Sequence, residues 1–211
     1  MSLPLNSLPH REPMSPSWKR WLLVSVVAIV LAHLLDPIAW QWRMATVYEK
    51  DWGRLLRVMG FLPTWGLLGL AWWLQQDQPA ARRHGAALLV LAPSAGGIVA
   101  EVLKLLVRRL RPDADTFGYV FRSFAEGPLS NRGMGMPSSH VLVAFAGAFA
   151  LARLFPRAQW VFYTLAAGCA VTRILAHAHY LSDTVVAACV AWGVVALIDG
   201  WLTRPRPEAS A

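Results

Sequence analysis

"GAALLVLAPSAGGIVAEVLKLLV" runs from Gly85 to Val107 and carries two charges, Glu101 and Lys104, both near its end. A helix of about 20 apolar residues crosses about 30 Å of hydrocarbon, so this stretch reads as a membrane span. Working outward, similar runs cover Trp21–Leu35 (followed closely by Ile38–Trp40), Leu55–Leu74, Val141–Phe155, Ala158–Ala176 and Thr184–Leu202. The first of these, and the one starting at Val141, are short and must borrow flanking residues. The runs are continuous rather than alternating, and lipid offers backbone groups no outside partner. The expected fold is therefore all-α, a bundle of six transmembrane helices in one domain.

Composition agrees. Of 211 residues, 56% are hydrophobic and 15% charged. Trp18, Trp21, Trp40, Trp42 and Trp52 fall near the ends of spans, the aromatic belt of a membrane protein. Residues 1–17 are polar and rich in proline, and are expected to be a disordered cytoplasmic segment. The membrane domain is expected over residues 18–203, with a short tail at 204–211. The apolar run after Lys19 and Arg20 is long and has no small-x-small cleavage site, so it stays as the first helix. Cys169 and Cys189 lie inside spans as small apolar side chains and say little about redox compartment.

The net charge of +8 calls for an anionic partner. Nucleic acid is set aside, because the basic residues flank spans instead of forming an exposed stripe with stacking aromatics. With six spans, nine cations fall on the face of the termini: Arg11, Lys19, Arg20, Arg82, Arg83, Arg153, Arg157, Arg204 and Arg206. The opposite face carries Arg43, Lys50, Arg54 and Arg57, and seven more from Lys104 onward. If those seven serve a site, four remain against nine. The termini are then cytoplasmic and the site lies on the extracytoplasmic face.

Three stretches gather on that face. "KLLVRRLRP", Lys104–Pro112, ends the third span. On a helix continuing to Pro112, Lys104, Arg108 and Arg111 form one cationic stripe and Arg109 points elsewhere; the plain alternative is a basic helix end snorkelling to headgroups. Glu101, one turn earlier, can pair with Lys104. "MPSSH", Met136–His140, precedes the fourth span, where Ser138 or Ser139 can cap the helix or the free amides can meet an anion. "RILAHAHYLSD", Arg173–Asp183, joins the last two. His179 and Asp183 are four apart, so they share a helix face if the last helix begins by about residue 179. Asp183 then accepts a hydrogen bond from one imidazole nitrogen and makes the other a better nucleophile or base. The chain must turn near Ala176–Ala178 for Arg173 and His179 to converge, and His177 serves as a helix cap or takes a direct part.

Ionisable groups at membrane depth are expensive and mark function. A lysine, arginine forks and a helix start suit a tetrahedral oxyanion. A histidine backed by a carboxylate suggests a phosphohistidine, and His140 can protonate the leaving oxygen. No metal-ligand spacing accompanies them, so the expected chemistry needs neither metal nor cofactor.

The order Lys104-x6-Arg111-Pro112, Pro137-Ser138-Ser139-His140, Thr172-Arg173-x5-His179-x3-Asp183 resembles the type 2 phosphatidic acid phosphatase family. Ser139 stands for the usual glycine and Thr172 for a serine. The resemblance implies His179 as nucleophile, Asp183 as its orienting partner, and His140 as acid and then base. It implies that Lys104, Arg111, Arg173, Ser138 and the amide of Ser139 hold the phosphate. Arg108, outside the motif, is expected to extend the stripe toward a second phosphate or a headgroup. The implied protein is a bacterial inner-membrane lipid phosphatase. Its substrate is of the undecaprenyl diphosphate, phosphatidylglycerol phosphate, phosphatidic acid or lipid A type. A lipid-to-lipid phosphotransferase and a non-catalytic anionic-lipid binder are the alternatives. The loop Asp113–Met136, with Phe117, Tyr119, Phe121 and Phe124, is either a substrate gate or a structural loop packed on the bundle.

Overall fold

The computed structural model describes residues 18–204; the expected disordered segment and nearly all of the tail lie outside them. Seven α-helices follow in order: α1 Trp18–Trp40, α2 Asp51–Arg57, α3 Leu62–Gln75, α4 Pro79–Val107, α5 Ser139–Leu154, α6 Gln159–Leu175 and α7 Leu181–Leu202. Among the described residues, strand-like pairing is confined to two isolated bridges, Arg109 with Phe121 and Leu110 with Met134. The all-α expectation holds, and each apolar run falls on helix. α1, α4 and α7 are each long and apolar enough to cross a membrane, while α5 is apolar but shorter. The second run is broken: α2 passes through a tight turn at Val58–Gly60 and then bends by 71° into α3. If the bent pair is one span, it makes a fourth.

Surface and interior show why the helices lie where they do. α1 turns Leu22, Leu23, Val27, Leu31 and Leu34 outward, a surface suited to hydrocarbon and costly in water. α5 is the opposite case. It is buried along most of its length between α4, α6 and α7. Its Ala144, Ala146, Gly147, Ala148 and Ala150 let neighbouring backbones come close. Trp65 of α3 lies against Gly147, where a Cβ would stand 2.1 Å from the indole. The Trp65 Nε1 donates to the Met59 carbonyl at 2.9 Å, bridging the break between α2 and α3. α1 packs on α7, α3 on α4 and α2 on α6. At the end of the bundle away from the motif residues, Asp199 of α7 accepts from Arg153 and from His84, the latter at 2.9 Å, and so joins α7 to α5 and α4.

α4 stops five residues before Pro112. Arg108 takes a left-handed conformation with φ of 59°, and its guanidinium is wrapped by the following loop. It donates to the carbonyls of Arg122 at 3.2 Å, Ser123 at 2.8 Å, Glu126 at 2.7 Å and Pro128 at 3.3 Å, beneath the ring of Phe124. The expected stripe of Lys104, Arg108 and Arg111 is therefore not formed. Arg108 organises the loop instead of reaching for a second phosphate. Backbone bonds stitch the loop back on itself: Leu110 to Val120 at 2.8 Å, Arg122 to Arg108 at 3.0 Å, Arg111 to Gly133 at 3.0 Å and Gly135 to Arg109 at 2.7 Å. Tyr119 and Phe117 meet the Tyr180 ring edge-on, and Tyr119 donates to Asp36 at 2.7 Å. These contacts tie the loop to α1 and α7.

Candidate active site

The turn between α6 and α7 follows from its hydrogen bonds. α6 ends at Leu175, His177 is left-handed with φ of 51°, and the amides of Ala178 and His177 return to the carbonyls of Arg173 and Ile174 at 3.0 and 2.9 Å. This is a Schellman closure. It reverses the chain between Arg173 and His179, as the sequence requires. His177 spends its Nε2 on the carbonyl of Trp40, the last residue of α1, at 2.6 Å, so its side chain does not cap the helix that it follows.

α7 begins at Leu181, so His179 lies just outside it. Its Nδ1 is 2.9 Å from the Gly135 carbonyl and 3.6 Å from Asp183 Oδ2. A carbonyl can only accept, so Nδ1 carries the proton and Nε2 keeps its lone pair. The expected hydrogen bond to Asp183 is thus replaced by one to a backbone oxygen, with the carboxylate close behind. Burial lowers the His179 pKa below its ordinary value; Asp183 opposes this, and the charges of Arg173 and Arg111 reinforce it.

Asp183 is fully buried and spends its oxygens on positioning. Oδ2 accepts from the Tyr180 amide at 2.9 Å, closing a capping box on α7. Oδ1 accepts from Arg109 Nη2 at 2.5 Å. Arg109 also donates to Ser182 Oγ at 2.7 Å, faces His33 at 3.3 Å, and lies over the rings of Tyr119 and Tyr180 at 4.8 and 5.1 Å. Asp36 of α1 accepts from the Ser182 amide at 2.9 Å and hydroxyl at 2.5 Å. A buried chain thus runs Asp36–Ser182–Arg109–Asp183. Sequence reading missed Asp36, and left Arg109 only as pointing away from the stripe. Nothing local pairs residues so far apart.

Lys104 is buried at the end of α4. It donates to Glu101 at 2.8 Å, as expected, and to Ser139 Oγ, which itself donates to Glu101 at 2.5 Å. The Ser139 hydroxyl is therefore engaged with this pair, and one ammonium proton of Lys104 stays free. Ser138 is the N-cap of α5 without a side-chain capping bond; neither serine caps through its hydroxyl. The Ser138 Oγ is buried with no partner, as is the Nε of Arg173. Arg173 Nη1 donates to Tyr48 at 2.7 Å. Arg111 is exposed, and its charge reaches Arg173 and His179. His140, at the first turn of α5, packs on Gly60 and Phe61 and lies within electrostatic reach of Arg173, Arg57, His179 and Lys104.

The three stretches meet at Gly135. Its carbonyl holds His179, and a Cβ there would stand 3.0 Å from Asp183 Oδ2 and 3.4 Å from the Arg111 Cα. The arrangement offers an unprotonated imidazole nitrogen, several cations and unpartnered donors, the parts needed to bind and attack a phosphoryl group.

Comparison with known proteins points the same way. The lipid A 1-phosphatase of Rhizobium etli is 29% identical over 187 residues, covering 80% of this chain and 78% of that protein. No solved structure matches the chain. The model of the PAP2 superfamily matches residues 85–207, more than half of the chain and every motif from Lys104 to Asp183, and the chain belongs to that superfamily.

Proposed function

We propose that the protein is an integral membrane lipid phosphatase that cleaves a lipid phosphate through a phosphohistidine. The tautomer of His179 carries this reading: with Nδ1–H on the Gly135 carbonyl, Nε2 is left as a buried nucleophile beside two arginines. Lys104, Arg111 and Arg173, with the hydroxyl of Ser138 and the amide of Ser139, hold the phosphoryl oxygens and stabilise the charge that builds on them. Nε2 attacks phosphorus, the P–O bond to the lipid breaks, and the leaving oxygen takes a proton from His140. His140 then draws a proton from water, which attacks the phosphohistidine; phosphate leaves and Nε2 is restored. Asp183 acts through position and charge, steadying the imidazolium that develops.

The activity named for the Rhizobium relative supports a phosphorylated lipid as the substrate, with lipid A among the candidates. The charge distribution across the spans favours a site on the extracytoplasmic face of the bacterial inner membrane. The chemistry drawn here uses no metal. Purified protein in detergent, with a chelator present, is expected to release phosphate from one member of a panel of lipid phosphates. His179→Ala is expected to lose activity by about a thousandfold or more, and retained activity would reject the nucleophile. Labelled phosphate passing to a second lipid instead of water would reveal a transferase.

A further inference from the structure

Arg57 closes the last turn of α2, outside the motifs and outside the residues matched by the superfamily model. Its guanidinium carbon lies 4.7 Å from the ring centroid of Tyr48 and 5.9 Å from that of Phe61. Each ring also touches the site. The Tyr48 hydroxyl accepts from Arg173, and Phe61 stands edge-on to His140 at 6.0 Å. Arg57 is thus one aromatic ring from a phosphate-holding arginine and one ring from the proposed acid, and its charge is felt at both.

Arg57 is half-buried, and its contrast with the buried arginines is chemical. Arg108 is wrapped by four carbonyls and Arg109 is paired with Asp183. Among the described residues the Arg57 guanidinium has no hydrogen bond or ion pair, and its Nε is shut off from solvent. Two aromatic faces hold the guanidinium plane and offset part of its desolvation. An anion meeting the fork would offset the rest. Arg57 borders the site through two rings: Tyr48, shared with Arg173, and Phe61, which packs on His140, the proton donor to the leaving oxygen, so an anion at its fork lies at the edge of the site that His140 also borders.

We infer that Arg57 is a specificity-determining contact for a second anionic group on the leaving-group side, which makes the site prefer a diphosphate-type head over a simple monoester. This rests on the phosphatase reading of the same pocket. The probes are methylenediphosphonate and methylphosphonate, whose P–C bonds resist hydrolysis. Binding of each is measured by calorimetry on the full-length protein in detergent. The variants are Arg57→Gln, Arg57→Lys and Arg54→Gln. Arg54 removes the same charge from the same helix, but it is exposed and paired with Asp51 at 3.6 Å. Wild type is expected to bind the diphosphonate at least roughly tenfold tighter, and Arg57→Gln to lose most of that advantage while methylphosphonate affinity stays within about twofold. Arg57→Lys should fall between, and Arg54→Gln should keep the advantage. The inference is overturned if wild type shows no preference, if Arg57→Gln keeps it or weakens both ligands equally, or if Arg54→Gln loses it as fully. Melting in detergent accompanies each variant; if Arg57→Gln does not fold, Arg57→Lys decides, and an undiminished preference in it overturns the inference. Phosphate release by wild type from lipid phosphates is scored separately. Its absence removes the phosphatase reading, whereas activity with an indifferent Arg57 removes only this inference.

Discussion

At Gly135 a single methyl group tests the site. Its Cβ would press on Asp183 Oδ2 at 3.0 Å and on the Leu110 carbonyl at 3.3 Å, and the backbone oxygen cannot step aside cheaply. Gly135→Ala is expected to lower kcat by roughly tenfold or more, because small misplacements at a reacting centre are costly. Phosphate-release kinetics with a melting control check this, and an unchanged kcat would show that Gly135 does not set the nucleophile. On the proposed mechanism, His179 sets the pH response. Burial holds its pKa below the ordinary 6.5, so between these two values an unfolded chain binds a proton that the native one does not. Falling pH destabilises the fold through that window, while the neutral nucleophile survives until the lowered pKa is reached. The acid limb of kcat/KM is therefore expected below about pH 6.5; a limb at or above it would contradict the buried, neutral imidazole.

Among the helices, two close contacts govern assembly. Gly147 admits the Trp65 indole to the face of α5, and Gly147→Ala is expected to cost about 1–3 kcal/mol by overpacking, read as a lower melting temperature in detergent. Asp36 ties α1 to the first turn of α7 through two hydrogen bonds from Ser182, and to the loop after α4 through a third from Tyr119. Asp36→Ala is expected to cost at least about 2 kcal/mol, since it strips buried donors of a charged acceptor, and to lower kcat more than it alters KM. A loss confined to KM would argue against a positioning role. Hydropathy made the helices legible because it registers burial in lipid residue by residue. It did not register where α4 stops, since Arg108 is held by carbonyls up to twenty residues later. Nor did it register the bend at Phe61, which depends on α2 and α3 packing on different neighbours.

Over the whole molecule, the motif residues were legible because order and spacing alone identify them. Asp36, Tyr48 and Arg57 were not, because they reach the site only through tertiary contacts with residues more than 100 positions away or through shared rings. All three precede the residues matched by the superfamily model, which begins at Gly85. A chain starting at Pro79 keeps every motif but loses the acceptor for Ser182 and the partner of Arg173. It is expected to insert into membranes and release no phosphate, and wild-type rates from it would show that the first three helices are dispensable. The bond between Asp36 and the Ser182 amide joins residues 146 positions apart. During biogenesis α1 must wait in the bilayer for α7, so a nascent chain stays inert until α7 is threaded, and insertion itself becomes the step that switches catalysis on.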